Sequence, residues 1–251
     1  MNVYLRYSAV LILAFDTSGM HGSVAVLDGS HVLAEQSLST DRRSAQMLAP
    51  AIVEILRLQR IEPRQIKLVA TTIGPGSFTG LRVGVTAAKT FAYAIGAEVI
   101  GLSTLETIAH GVSQLAGVAP ATEIHAVIDA QRKELFVGRF FLASAPVGAN
   151  ELPQLTRLAD DHIIPAEEWI ASLKPGTVVA GAGLDRLKDR LPGGIILDAT
   201  NREPRAAIVG QLAWRDYQGG RRDDLWKLSP VYLRPSYAEE KAAKKIPPTS
   251  A

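Results

Sequence analysis

Residues Lys67 to Lys89 constrain this chain more than any other stretch. They open with a continuous apolar, β-branched run, Leu68–Ile73, which reads as a buried strand. A loop carrying Gly74, Gly76 and Gly80 follows, with Pro75 stiffening the turn between the first two. A segment rich in Ala, Val and Leu then runs to Ile95 and reads as a helix. Strand, tight glycine turn and helix start would aim free backbone N–H groups at one spot. A phosphate cradle of the Walker type needs a second glycine five residues after the first. Counting five on from Gly74 reaches Thr79, and from Gly76 reaches Leu81, so that motif is excluded. Plain strand-to-helix geometry is the alternative use of such glycines.

The 251 residues suffice for one large domain or two small ones, and 47% hydrophobic against 21% charged residues marks a globular chain. A formal charge of +2 is too mild to argue for nucleic-acid binding. The absence of cysteine removes disulfides, thiolate metal sites and a thiol nucleophile, and is compatible with the cytoplasm. Near the N-terminus the apolar run Ala9–Phe15 is too short to span a membrane, and Asp16 ends it. Val10–Asp16 therefore reads as a first strand, and residues 1–8 as a flexible extension.

Ser23–Leu27 and Val32–Leu38 form a hairpin across Asp28-Gly29. Asp41 can cap a helix over Arg42–Leu58, apolar along one side. After the glycine loop and its helix come a strand, Glu98–Leu102, and a helix, Thr104–Ser113, capped by Ser103. A sparser copy of the order follows: strands Glu123–Asp129 and Leu135–Leu142, an irregular insertion Ser144–Leu155, and helix Ala166–Leu173. Strand Thr177–Ala180, helix Leu184–Leu191, strand Ile195–Leu197 and helix Arg205–Tyr217 complete it. Alternating strands and helices define an α/β fold. Two βββαβαβα-like halves, each opening with a strand that ends in Asp, match the duplicated layout of the actin/Hsp70/sugar-kinase (ASKHA) superfamily. The halves are expected at 9–103 and 104–236, with a basic tail from 237 to 251 that is flexible.

In that layout the two Asp-ended strands would face phosphates and Mg²⁺ across a cleft. Asp16, Thr17 and Ser18 are the candidates in the first half, and Asp129 in the second, since hydrated Mg²⁺ takes one or two carboxylates plus phosphate oxygens. Gly181 and Gly183 would lie on the adenosine side. Local capping of turn N–H groups by the same carboxylates is the competing reading. Ser77 has no identifiable His base and lies in no Gly-x-Ser-x-Gly elbow, so it caps a helix rather than attacking a carbonyl. No two of His21, His31, His110, His125 and His162 stand four apart, which leaves no helical metal pair. On the central helix Arg82, Thr86, Lys89, Thr90 and Tyr93 gather in one stripe, and the remaining circumference is apolar or small. A helix on one sheet face needs an apolar stripe of only roughly 100°. The excess predicts burial on a second side as well.

The string Gly74-Pro-Gly-Ser-Phe-Thr-Gly-Leu-Arg-Val-Gly84 resembles the signature of the TsaB (YeaZ) family, non-catalytic relatives of the TsaD enzyme. So do Leu11–Ser18, Gly101–Leu105, Ile128–Arg132 with Glu134, and Pro230-Val-Tyr-Leu-Arg234. The match is weak between Phe141 and Ile196. The resemblance implies an accessory subunit in making threonylcarbamoyladenosine at position 37 of tRNAs that read codons beginning with A. Its partners would be a TsaD-type catalytic subunit, a TsaE-type ATPase and, through the complex, tRNA; alone it would form a homodimer. No cofactor is required, and ATP or ADP with Mg²⁺ would belong to the complex interface. TsaD relatives carry His-x-x-x-His where Thr104 and Ile108 stand here, so no catalytic metal centre is expected. Partner contact is implied for the two helices of the first half, at Leu48, Ile52, Gly84, Ala87, Ala88 and Phe91. Arg221, Arg222, Lys227, Lys241, Lys244 and Lys245 could add basic surface for tRNA, or be a solvated charge run. Ser44 stands where the family often has His, and no role of that His is carried over. A sugar-kinase-like enzyme and a homodimeric nucleotide-binding regulator are the rival readings.

Overall fold

The computed structural model describes residues 10–38, 44–113, 118–144, 152–198 and 203–234. The first sheet contains β1 (Leu11–Asp16), β2 (Ser23–Asp28), β3 (His31–Ser37), β4 (Leu68–Gly74) and β5 (Glu98–Ser103), in the order β3-β2-β1-β4-β5. The second contains β6 (Thr122–Asp129), β7 (Glu134–Ser144), β8 (Gln154–Pro165), β9 (Val178–Ala180) and β10 (Ile196–Asp198), in the order β8-β7-β6-β9-β10. By position these are one topology used twice. Three antiparallel strands are joined through the first of them to two parallel ones.

Helices α1 (Ser44–Leu58) and α2 (Phe78–Ile95) pack on one face of the first sheet, against Leu13, Phe15, Val24 and Val69. The opposite face, with Ile12, Ala14, Leu27 and Ala70, is covered by α5 (Ala206–Gln218), the last helix of the chain. Helix α3 (Thr104–Ser113) applies Leu105, Ile108 and Val112 to the second sheet, whose other face is filled by Trp169 of α4 (Ala166–Ser172). Strands β1 and β4 are buried on both faces, which is why they read as unbroken apolar runs. Each fully buried aliphatic side chain there contributes about 1.5–3 kcal/mol by leaving water.

The second half departs from the sequence reading in two places. β8 starts at Gln154 inside the stretch read as an irregular insertion. It is an edge strand with register shifts against β7, and Arg157, Asp160, Asp161 and His162 break the alternation that would have revealed it. Leu184–Leu191 is not an α-helix but two 3₁₀ turns, Ala182–Arg186 and Lys188–Arg190, interrupted at Leu187 with φ −118° and ψ −12°. Asp41, Arg42, the extension 1–8 and the tail with Lys241, Lys244 and Lys245 lie outside the described residues, as does the side chain of Ser44.

Candidate functional site

The two sheets face each other across a cleft of about 1230 Å³. Its walls are the β1–β2 turn (Ser18 to His21), the glycine loop (Pro75 to Phe78), the β6–β7 turn (Asp129 to Arg132) and the 3₁₀ turn at Gly183. Thr104 and Ile108, one turn apart on α3, face it from between the halves.

The glycine loop is built against the β1–β2 turn. A Cβ on Gly80 would lie 1.9 Å from the Thr17 carbonyl oxygen, and one on Gly84 would lie 2.6 Å from Thr17 Oγ1. Ser77 N–H donates to the Ser18 carbonyl at 2.7 Å, and Thr17 Oγ1 donates to the Gly80 carbonyl at 2.7 Å. Ser77 Oγ accepts from Gly80 N–H at 3.2 Å, the capping role expected of it. The signature glycines let α2 seat directly on the end of β1.

Asp16 is sealed behind this junction. Its Oδ1 accepts from Ser18 N–H at 3.2 Å, Ser18 Oγ–H at 2.6 Å and Thr72 Oγ1–H at 2.5 Å, while Oδ2 is buried without a partner. Burial raises its pKa to about 6 against the lowering effect of these hydrogen bonds. Asp16 and Thr17 are both buried and absent from the cleft wall, so the expected cation-facing role is corrected for both. Ser18 lines the cleft with its hydroxyl turned to Asp16. Asp129 does face the cleft, but its carboxylate accepts from Gln131 N–H at 2.7 Å and pairs with Arg186 at 3.4 Å. Of the two candidate carboxylates, Asp129 alone borders the cleft. Gly183 borders the cleft, whereas Gly181 is a packing glycine whose Cβ would lie 2.0 Å from the Val127 carbonyl oxygen.

The expected partner face is also redrawn. Leu48, Ile52, Gly84 and Ala88 are buried in the chain's own core, because the α2 stripe that carries Ala88 is the one lying on the first sheet. Ala87 and Phe91 are half-buried, and the outward side of the helix pair carries Val53 (66% exposed), Leu58 (57%) and Tyr93 (67%). Arg221 pairs with Asp216 and Asp223, Arg222 with Glu98, and Lys227 with Asp224, so these cations serve the local fold. Sequence reasoning missed Phe78, Arg82, Tyr232 and Arg234 at the cleft mouth. The Pro230–Arg234 motif was the available signal.

Duplicated three-plus-two sheets closing on one cleft define a protein of the actin/Hsp70/sugar-kinase (ASKHA) class. A family model described as "TsaD: tRNA N6-adenosine threonylcarbamoyltransferase" matches residues 31–161. The "tRNA threonylcarbamoyladenosine biosynthesis protein TsaB" of Bacillus subtilis is 28% identical over 92% of this chain and 96% of its own length. That of Escherichia coli is 28% identical over 93% and 99%. The solved structure of YeaZ from Pseudomonas aeruginosa superposes with a TM-score of 0.74 at 25% identity, covering 89% of this chain and all of that one. The chain belongs to the TsaD-type family, and within it to the TsaB (YeaZ) branch. Among the described residues no helix is long and apolar enough to cross a membrane.

Proposed function

We propose that this chain is a non-catalytic subunit in the biosynthesis of tRNA threonylcarbamoyladenosine, holding a TsaD-type catalytic subunit in its working arrangement. The observation that carries the reading is the cleft face of α3. Thr104 and Ile108 border the cleft there, where the catalytic relatives are expected to hold a metal with two histidines. Ile108 has no donor atom, and Thr104 offers only a neutral hydroxyl. The partner would dock on the outward side of α1 and α2, on Val53, Leu58, Tyr93 and the half-buried Ala87 and Phe91, rather than on the buried Gly84 and Ala88. A TsaE-type ATPase and the tRNA would join through the complex, in the cytoplasm, and the same face would pair two copies when the partner is missing. ATP or ADP with Mg²⁺ would enter at the complex interface.

Light scattering on a mixture of this chain with a TsaD-type protein is expected to read the mass of a complex. Given the threonylcarbamoyl adenylate, Mg²⁺ and tRNA, the chain alone is expected to form no modified adenosine. Turnover by the chain free of any TsaD-type protein would overturn the accessory reading.

A further inference from the structure

The segment after α5 crosses the whole molecule. It joins the first half beside β5, where Asp223 N–H donates to the Val99 carbonyl at 3.2 Å and Asp223 Oδ2 accepts from Gly101 N–H at 2.9 Å. Lys89 of α2 holds its middle, donating to the carbonyls of Trp226 at 3.0 Å and Leu228 at 3.1 Å. Val231 N–H then donates to the Ile73 carbonyl at 2.7 Å, at the end of β4. A Cβ on Gly74 would stand 2.4 Å from the Val231 carbonyl oxygen, so the first glycine of the loop is the seat of this segment.

Beyond that seat the chain changes halves. The Tyr232 ring lies on Phe78 with centroids 4.6 Å apart, and Arg82 Nε donates to Tyr232 Oη at 3.1 Å. The Arg82 guanidinium also lies 3.8 Å over the Phe78 ring. Two residues on, Arg234 donates to the Ala130 carbonyl at 2.5 Å and pairs with Glu134, both on the β6–β7 hairpin of the second half. Three separate stretches of the resemblance meet here: the glycine loop, Ile128–Arg132 with Glu134, and Pro230–Arg234.

We propose that Pro230–Arg234 is a latch across the cleft mouth, setting how far the two halves open. Tyr232 and Arg234 both border the cleft, and their contacts tie the first turn of α2 to the second-half hairpin. An open arrangement would have to give up the stack, the phenol hydrogen bond or the charge-assisted Arg234 contacts, so the latch favours the closed one. This inference concerns the chain alone and stands independently of the proposed function.

The chain has no cysteine, so Met20→Cys and Lys188→Cys place spin labels on opposite sides of the cleft without interference. Double electron–electron resonance is expected to give one narrow distance for the otherwise unchanged chain. Tyr232→Ala and Arg234→Ala are each expected to move that distance outward and broaden it, while Arg234→Lys keeps it. Glu134→Gln removes the charged partner of Arg234 on the second half without touching the segment, and is expected to broaden the distribution, which keeps the test open where circular dichroism shows another variant unfolded. An unchanged narrow distance in every folded variant would overturn the proposal.

Discussion

Asp16 is a carboxyl held far from its ordinary state. Its carboxyl is raised to about 6 by burial, so between the usual carboxylate range and pH 6 the folded chain holds a proton that the unfolded chain has lost. The contribution of this group to stability is therefore present in acid and disappears as pH rises through 6. Asp16→Asn keeps an oxygen for Ser18 and Thr72 and cannot ionise. Urea unfolding across pH 4 to 7 is expected to show the variant gaining on the unmodified chain as pH rises, by about 3 kcal/mol at neutrality. Gly80→Ala is expected to act oppositely, pushing α2 off the β1–β2 turn at a cost of several kcal/mol in the same measurement. Both residues were legible from sequence as important, but not as what they are. A strand-end Asp and a glycine turn look alike whether they hold a phosphate or pack against each other, and only the 1.9 Å approach to Thr17 distinguishes the two uses.

At the level of elements, the apolar excess on α2 does mark burial against more than one surface. Its direction could not be read, because Ala87 and Ala88 are chemically equivalent and 100° apart. Ala88 faces the sheet and is fully buried, so Ala88→Arg is expected to abolish cooperative unfolding. Val53→Arg is expected to fold with stability within about 0.5 kcal/mol of the unmodified chain and to lose co-purification with a TsaD-type partner. A folded Val53→Arg that still binds would move the proposed interface off α1. The doubly buried strands were visible because burial forces them to be apolar throughout. β8 was not visible, since a half-exposed, bulged edge tolerates charge.

Across the whole molecule, α3 is the axle between the halves. Opposite its cleft face, Glu106 pairs with Arg157 of β8 at 3.3 Å and with Arg215 of α5 at 3.0 Å, and Arg215 in turn pairs with Asp216 at 2.7 Å. His110 is buried in this network, and burial first, then the nearby Arg215 charge, lower its pKa to about 3. A depressed imidazole contributes stability above its unfolded value of 6.5 and loses it as pH falls toward 3. His110→Gln is expected to flatten that acid branch of the unfolding free energy, read from urea titrations, by an amount on the order of a few kcal/mol. The two pairs made by Glu106 were not predictable, for they join residues from distant parts of the chain. The placement of α5 carries a further consequence. It leaves the second sheet's part of the chain to roof the first sheet, with Ala206, Val209 and Leu212 against Ile12 and Leu27. A gene cut between codons 103 and 104 would therefore yield two fragments that each expose an oily face and precipitate when made singly. Co-expressed, they should find each other and restore the parent circular dichroism spectrum, because the duplication that built this chain has been sewn together by exchanging a helix.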